Sequence, residues 1–174
     1  MKIVSFYCDD SSKKYSKYAK RLIDNANSLG VGYHLEEKKP WVCKPQEVFK
    51  TQHFSNCKWK PYVIETALKE TDTCLWLDVD CYVEKINHIP VDCDIGYFSN
   101  VPKYYSNKIS VGWIWFNSTP NTFDFLKSWQ KNLKTSPQDH NAFSKTHRKL
   151  KNQMNMIEVT DSVDVVHNKP LFQK

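Results

Sequence analysis

Two aspartates separated by one residue follow an apolar run in the middle of the sequence, and this spacing suits a divalent cation. The run covers residues 74–77, and the aspartates are Asp78 and Asp80. In an extended chain, side chains two residues apart point the same way, with their Cα atoms roughly 7 Å apart. Two carboxylates so presented would bind Mg²⁺ or Mn²⁺ and leave positions open for water and substrate phosphates. The alternative is a pair of solvated aspartates in a turn at the end of a strand.

The apolar run itself predicts a strand that is buried on both faces. This is the pattern of a central strand in a sheet covered by helices on both sides. Ligands bind to open sheets of this class beyond the carboxyl ends of their strands. Asp78 and Asp80 follow the run directly, so the sequence predicts a cation site at that edge of the sheet.

Strands and helices are predicted to alternate around this central strand. Further strands are expected at 2–8, 31–36, 94–98, 110–117, 156–160 and 163–166, with helices at 12–29, 61–68, 121–133 and 139–150. A short helical turn near 46–50 and a loop at 103–108 complete the prediction. Alternation of this kind indicates an α/β fold with a mostly parallel central sheet and helices on both faces. No repeat or linker divides the chain, so we expect one domain over residues 1–174.

Composition narrows the classes of protein to which the chain could belong. The formal net charge is +6, but the lysines are spread along the chain, which argues against nucleic acid as the primary partner. Only four glycines occur, without a dinucleotide fingerprint or a phosphate loop. We therefore expect any bound phosphate to be held by a metal ion and by lysine.

The six cysteines include no Cys-x-x-Cys pair, which argues against a structural zinc site. No signal peptide is recognisable at the start of the sequence, and no apolar run approaches the length of a membrane span. We expect a soluble, cytoplasmic protein with reduced cysteines.

The order of these motifs resembles that of GT-A type nucleotide-sugar glycosyltransferases, especially small viral and bacterial members. The resemblance covers roughly residues 1–167 and is carried by Lys60-Pro61 with its helix, residues 75–80, residues 112–117, Trp129 and residues 138–143. It implies a single GT-A (Rossmann-like) domain. It also implies transfer of a sugar from a nucleoside-diphosphate sugar, most often a UDP-sugar, to a hydroxyl group of a glycan or glycoconjugate acceptor.

The resemblance also implies the residues of a metal site. Asp80 would ligate the ion, Asp78 would contact the ribose or sugar of the donor besides serving as a candidate ligand, and the ion would bridge the donor diphosphate. His167 would complete the metal site, and Lys169 would contact the diphosphate. Imidazole together with carboxylate suits Mn²⁺ better than Mg²⁺, which prefers oxygen ligands. The alternative for His167 is a structural role.

On the acceptor side, the resemblance implies that Asp139 acts as a general base or as an acceptor ligand. The alternative is a carboxylate that merely stabilises the start of a helix through the helix dipole.

On the donor side, Tyr7, Cys8 and Asp9 would hold the nucleoside base at the end of the first strand, and Gly112 would leave space beside the donor sugar. Lys60 begins a helix, where backbone donors and a positive side chain can bind a nucleotide phosphate. The alternative for Lys60 is a solvated side chain.

Two other functions are compatible with the same residues. In a metal-dependent nucleotidyltransferase or nuclease, Asp78 and Asp80 would hold ions for phosphoryl transfer, with Glu84 as the candidate third carboxylate. A non-catalytic sugar-binding module would keep the fold without turnover.

Overall fold

A computed structural model of the chain describes residues 1–9, 14–42, 55–99, 109–136 and 138–167. Across these residues the strands are β1 (Lys2–Tyr7), β2 (Gly32–Glu37), β3 (Thr73–Leu77), β4 (Cys81–Ile86), β5 (Ile95–Tyr97), β6 (Trp113–Asn117), β7 (Met156–Glu158) and β8 (Val163–His167). The helices are α1 (Lys14–Ser28), α2 (Lys60–Leu68), α3 (Pro120–Leu133) and α4 (Asp139–Leu150), and a 3₁₀ turn (Cys57–Trp59) precedes α2.

Six strands form a central sheet in the order β2-β1-β3-β6-β5-β7. All neighbours in it are parallel except the pairs that involve β6, which runs antiparallel to both β3 and β5. Leu75 in β3 lies opposite Ile3 on one side and Trp115 on the other, so β3 is a central strand. The predicted mostly parallel sheet and the position of the aspartate strand within it are confirmed.

Helices cover both faces of this sheet, as predicted. Cys74 and Trp76 of β3 pack on one face in a hydrophobic core built with α2, α3 and α4. Leu75 and Leu77 face the opposite side, where they contact a second core that includes Leu22 of α1. All five residues of β3 are buried, which agrees with its unbroken apolar sequence.

Local sequence signals account for most helix boundaries. Gly30 adopts a positive φ of 65° just after α1, a conformation that glycine takes without steric cost. Pro61 lies in the first turn of α2, as predicted, and Thr119 caps α3 by accepting a hydrogen bond from Thr122 N at 3.2 Å. Helix α4 begins at Asp139, also as predicted. The predicted turn at 46–50 and loop at 103–108 lie outside the described residues.

The chain between β3 and β4 differs from the sequence prediction. The expected extended geometry through Asp78 and Asp80 is wrong, because the chain turns there and Cys81 N donates a 2.8 Å hydrogen bond to Asp78 O. The chain then enters β4, which pairs antiparallel with β8 in a separate two-stranded sheet. The pairing of β4 with β8 joins residues that are distant in the sequence, so no local sequence pattern predicted it.

Within the described residues, none of the helices combines the length and the apolar character that crossing a membrane requires.

Replacing Gly96 by alanine should destabilise the fold, because β5 is tightly enclosed there. An added Cβ would lie 3.0 Å from Val159 Cγ2 and 3.2 Å from both Pro90 Cγ and Trp115 Cβ. Such overpacking costs about 1–3 kcal/mol. Urea denaturation of Gly96→Ala should show that loss in the free energy of unfolding.

Gly32→Ala is the matched control for this prediction. Its Cβ would meet the flexible Lys2 side chain at 3.3 Å on an exposed stretch of β2, so stability should change little. Equal stabilities of the two variants would contradict the packing described for β5.

Candidate functional site

The candidate site lies where β3 ends and β6 begins. Asp78 directly follows β3, and its backbone N–H donates to Gly112 O at 2.7 Å, just before β6. A Cβ added to Gly112 would meet Asp78 Oδ2 at 3.4 Å, an ordinary van der Waals contact. The packing of the described residues therefore does not itself demand glycine beside Asp78.

A buried lysine stands at the centre of the site. Lys60 Nζ lies 2.9 Å from Asp78 Oδ1 and 2.7 Å from Asp139 Oδ2, and it donates to Val111 O at 3.3 Å. It also lies 5.8 Å from the ring centroid of Trp76, and its side chain is 4% exposed. The alternative of a solvated Lys60 is therefore wrong. Its ammonium group already has three oxygen partners, so a phosphate contact would require it to release one of them.

Two helix starts bring these charges together. Lys60 is the first residue of α2, and Asp139 is the first residue of α4. The helix dipole favours Asp139 at its position and disfavours a cation at the start of α2. The two neighbouring carboxylates offset that cost for Lys60. Burial by itself would lower the pKa of Lys60, but the attraction of these two carboxylates outweighs burial and raises the pKa well above its ordinary value.

Neighbouring positive groups balance the negative charges of the two carboxylates beside Lys60 to different extents. Burial raises the pKa of Asp139, but Lys60 and His140, whose Nδ1 lies 3.1 Å from Asp139 Oδ1, outweigh it and hold the pKa well below its ordinary value. The pKa of Asp78 is instead raised, because burial and the neighbouring charge of Asp80 exceed the attraction of Lys60. Negative charge at Asp78 is therefore only partly balanced.

A second group forms around Asp80. His167 Nε2 lies 3.1 Å from Asp80 Oδ2, and Cys81 pairs directly with His167 across the small sheet. The potential ligand atoms of Asp80, Cys81 and His167 all lie within 4.8 Å of one another. Burial raises the pKa of Asp80, but the neighbouring His167 outweighs it and the pKa is lowered. Lys169, predicted to contact the diphosphate, lies outside the described residues.

The residues of the site fit a divalent cation. Among the described residues, the carboxylates of Asp78 and Asp139 share Lys60, and the carboxylate of Asp80, close to Asp78, contacts His167. Carboxylate, from Asp80, and imidazole, from His167, are both side-chain groups that ligate divalent cations. A cation there would also supply the positive charge that Asp78 lacks.

Helix α1 holds the backbone of the turn that carries Asp80. Arg21 Nη2 donates to Asp80 O at 3.0 Å. Its guanidinium carbon lies 5.1 Å from the ring centroid of Tyr18 and 5.2 Å from that of Tyr82. Cation–π contacts of this kind add to the hydrogen bond in fixing the side chain. Sequence reasoning did not identify Arg21 as part of the site.

One helical turn further along α1, Asn25 binds the next part of β4. Its Nδ2 donates to Val83 O and its Oδ1 accepts from Val83 N, both at 2.8 Å. The side chain thus makes the two hydrogen bonds that a neighbouring strand would make. Arg21 and Asn25 are spaced by four residues and lie on the face of α1 that also carries the buried Leu22 and Ala26. Two polar residues at this spacing beside buried apolar ones are the sequence pattern that indicates their role.

The residues predicted to hold the nucleoside base lie at the end of β1, close to the carboxyl edge of the sheet. The Tyr7 hydroxyl group donates to Glu37 Oε2 at 3.2 Å, and burial raises the pKa of the half-buried Cys8 to about 11. Asp9 accepts a 3.0 Å hydrogen bond from Ser16 N, which ties β1 to α1.

No protein family model and no curated protein matches the sequence. The structure is similar to a glycosyltransferase involved in the glycosylation of the major capsid of PBCV-1, with 17% identity and a TM-score of 0.67 over 97% of this chain and 92% of that chain. It is also similar to a Drosophila beta-1,4-galactosyltransferase 7 in complex with manganese, UDP-Gal and xylobiose, with 14% identity and a TM-score of 0.56 over 99% of this chain and 75% of that chain. At these identities the similarity establishes the fold, which is the predicted GT-A fold.

Replacing Asp139 by asparagine should destabilise the protein at neutral pH, and the effect should shrink gradually as the pH falls below about 3.9. The folded-state pKa of Asp139 is lowered, so its ionised form stabilises the fold above the ordinary aspartate pKa of about 3.9. That contribution is lost as the pH falls through the lower folded-state pKa. Because breaking a buried ion pair costs about 3–5 kcal/mol, urea denaturation at pH 7 should reveal a loss of that order.

The control is Asp124→Asn, which removes an exposed carboxylate that lies 3.7 Å from Lys127 on α3. A surface pair of this kind contributes roughly 0–1 kcal/mol. If the effect of Asp139→Asn does not shrink between pH 7 and pH 3, or merely equals that of the control, the ion pair does not stabilise the fold.

Proposed function

We propose that the protein is a metal-dependent glycosyltransferase that moves a sugar from a nucleoside-diphosphate sugar, first of all a UDP-sugar, to a hydroxyl group of a glycan or glycoconjugate. The observation that carries the proposal is the turn after β3, where Asp80 lies 3.1 Å from His167 and Asp78 lies 2.9 Å from Lys60. The GT-A fold and its similarity to two glycosyltransferases support it.

In this proposal Asp80 and His167 hold Mn²⁺, with Mg²⁺ as the other candidate. When bound, the ion would neutralise the negative charge that develops on the departing nucleoside diphosphate. The similarity to a galactosyltransferase described with manganese and UDP-Gal is consistent with this assignment. The donor set of one carboxylate and one imidazole leaves positions for diphosphate oxygens.

Asp78 is proposed to contact the donor. Its side chain is 34% exposed, whereas Lys60 and Asp139 behind it are buried. Lys60 would hold the carboxylate of Asp78 in place through the 2.9 Å ion pair, so Lys60 acts as a positioning residue. Asp78 also lies next to Gly112, where we propose that the donor sugar finds space.

Asp139 is proposed as an acceptor ligand rather than a general base. A carboxylate whose pKa is held well below its ordinary value takes up a proton poorly at neutral pH. The Asp139 side chain is 3% exposed and both of its oxygens already have partners, so a sugar hydroxyl group would have to take the place of His140 beside Oδ1. The nucleoside base would lie against Tyr7, Cys8 and Asp9, and Lys169 would contact the diphosphate.

The two other functions considered for the sequence gain no support. Glu84, the candidate third carboxylate for phosphoryl transfer, is exposed on β4 and is not part of the group formed by Asp80, Cys81 and His167. No feature of the described residues favours a non-catalytic sugar-binding module over a transferase.

Nucleotides and nucleotide sugars should raise the melting temperature of the protein only when Mn²⁺ is present. A ligand at 100 times its dissociation constant adds roughly 2.7 kcal/mol to stability. A thermal-shift screen of UDP, GDP, dTDP and their common sugars, with Mn²⁺, with Mg²⁺ and with chelator, measures this effect and identifies the nucleotide.

The shift should vanish in Asp80→Ala and persist in Asp24→Ala, which removes an exposed carboxylate of α1. The proposal fails if none of the nucleotides shifts the wild-type protein under any metal condition. A shift that is equally large in chelator would leave nucleotide binding intact but remove the metal from the proposal.

Arg21→Ala should weaken Mn²⁺ binding, because it removes the donor that holds the Asp80 carbonyl group. Groups that orient metal ligands typically contribute 10–100-fold in affinity, and we expect a loss of about tenfold. Titration of free Mn²⁺ by electron paramagnetic resonance measures it directly. Lys20→Ala, at the exposed neighbouring position, should bind Mn²⁺ like the wild type. Equal affinities of the two variants would exclude a positioning role for Arg21.

A further inference from the structure

The group around Asp80 contains a third donor that the proposed manganese site does not use. Cys81 directly follows Asp80 and lies opposite His167 in the pairing of β4 with β8. The backbone of this small sheet therefore fixes Cys81 and His167 relative to one another, and Asp80 directly precedes Cys81. Their carboxylate oxygen, thiol sulfur and imidazole nitrogen all lie within 4.8 Å of one another.

These three donors differ in chemical type, and together they match zinc better than manganese. Zinc binds cysteine, histidine and carboxylate at about 2.0–2.3 Å, usually in tetrahedral geometry. Thiolate ligands select zinc over the harder ions Mg²⁺ and Mn²⁺. The general order of affinities also places Zn²⁺ well above Mn²⁺ for a given set of donors. Tetrahedral bonds of this length place the ligand atoms roughly 3.3–3.8 Å apart, so the three atoms, all within 4.8 Å of one another, would have to close by at most about 1.5 Å.

We propose that Zn²⁺ binds to Asp80, Cys81 and His167 more tightly than Mn²⁺, and that it thereby inhibits the glycosyl transfer proposed above. On binding, the sulfur–zinc bond forms as the thiol proton leaves to solvent, and no group is oxidised or reduced. Three protein ligands in a tetrahedral shell leave one open position. Manganese held by Asp80 and His167 alone keeps several positions for the diphosphate.

This zinc site differs from the structural type that the cysteine spacing argued against. It uses one cysteine and is open to a fourth ligand, whereas structural zinc sites have four protein ligands, mostly cysteine and histidine. The competing interpretation is that Cys81 serves only as a small apolar residue. It is fully buried in the core that includes Leu77, Val83 and Trp115.

Cobalt substitution separates the two interpretations. Co²⁺ replaces zinc in such sites, and a cobalt–thiolate bond gives a strong charge-transfer absorption in the near ultraviolet. We expect this absorption in the wild-type protein, its loss in Cys81→Ser, and its bleaching when Zn²⁺ displaces Co²⁺. Competition with a chromophoric chelator should show Zn²⁺ affinity falling at least tenfold in Cys81→Ser. Mn²⁺ affinity, measured by electron paramagnetic resonance, should stay close to that of the wild type.

Cys74→Ser is the matched control. Cys74 is equally buried, but it lies in β3 and faces the opposite core, so it should keep the cobalt absorption. His167→Ala provides a second test that does not disturb the core, because the His167 side chain is 41% exposed. It should weaken Zn²⁺ and Co²⁺ binding at least tenfold, even if Cys81→Ser fails to fold.

Zinc binding does not depend on the proposed function, whereas inhibition of glycosyl transfer does. The measurements distinguish failure of the zinc site from failure of the proposed function. Cobalt absorption that is missing in the wild type or retained in Cys81→Ser overturns the zinc site, while Mn²⁺-dependent nucleotide binding would still support the transferase. Zinc and cobalt binding that needs Cys81, in a protein that binds neither Mn²⁺ nor nucleotide, would establish the site and overturn both the transferase and its inhibition.

Discussion

The buried ammonium group of Lys60 is the interaction on which the candidate site depends. It joins the end of β3, through Asp78, to the start of α4, through Asp139, while Lys60 itself begins α2. Without it, two carboxylates would face each other in a region of low dielectric, which is strongly unfavourable. The positions of three elements at the carboxyl edge of the sheet are therefore coupled through one side chain.

Lys60 balances the negative charges of its two neighbouring carboxylates unequally. Lys60 and His140 outweigh the effect of burial on Asp139 and lower its pKa, whereas burial and the charge of Asp80 outweigh Lys60 at Asp78 and raise its pKa. A structure built for stability alone would pair each buried charge. The remaining negative charge lies at the exposed end of the group, where a cation and a diphosphate could be bound together.

Features encoded by neighbouring residues were predictable from the sequence, and features made by distant residues were not. The burial of β3 followed from its apolar run, and the start of α2 from Pro61, which suits a first turn. The sequence analysis favoured an extended chain through Asp78 and Asp80 over a turn, but the chain turns there and then enters the β4–β8 pairing of distant residues. The contact between Asp80 and His167 joins residues 87 positions apart, and only the resemblance to a family pointed to it.

The proposed metal ligands Cys81 and His167 lie in a sheet that could not stand alone. A two-stranded sheet is marginally stable in water, so β4 and β8 need support from the rest of the fold. Val83 and Val163 supply it by packing into the core beneath Trp115, and Asn25 supplies it by pairing with the backbone of Val83. Apolar packing and a hydrogen-bonding helix thus bring Asp80, Cys81 and His167 together without an ion. Because folding already orders these side chains, an ion would not have to order them on binding, and its affinity would be higher for that reason.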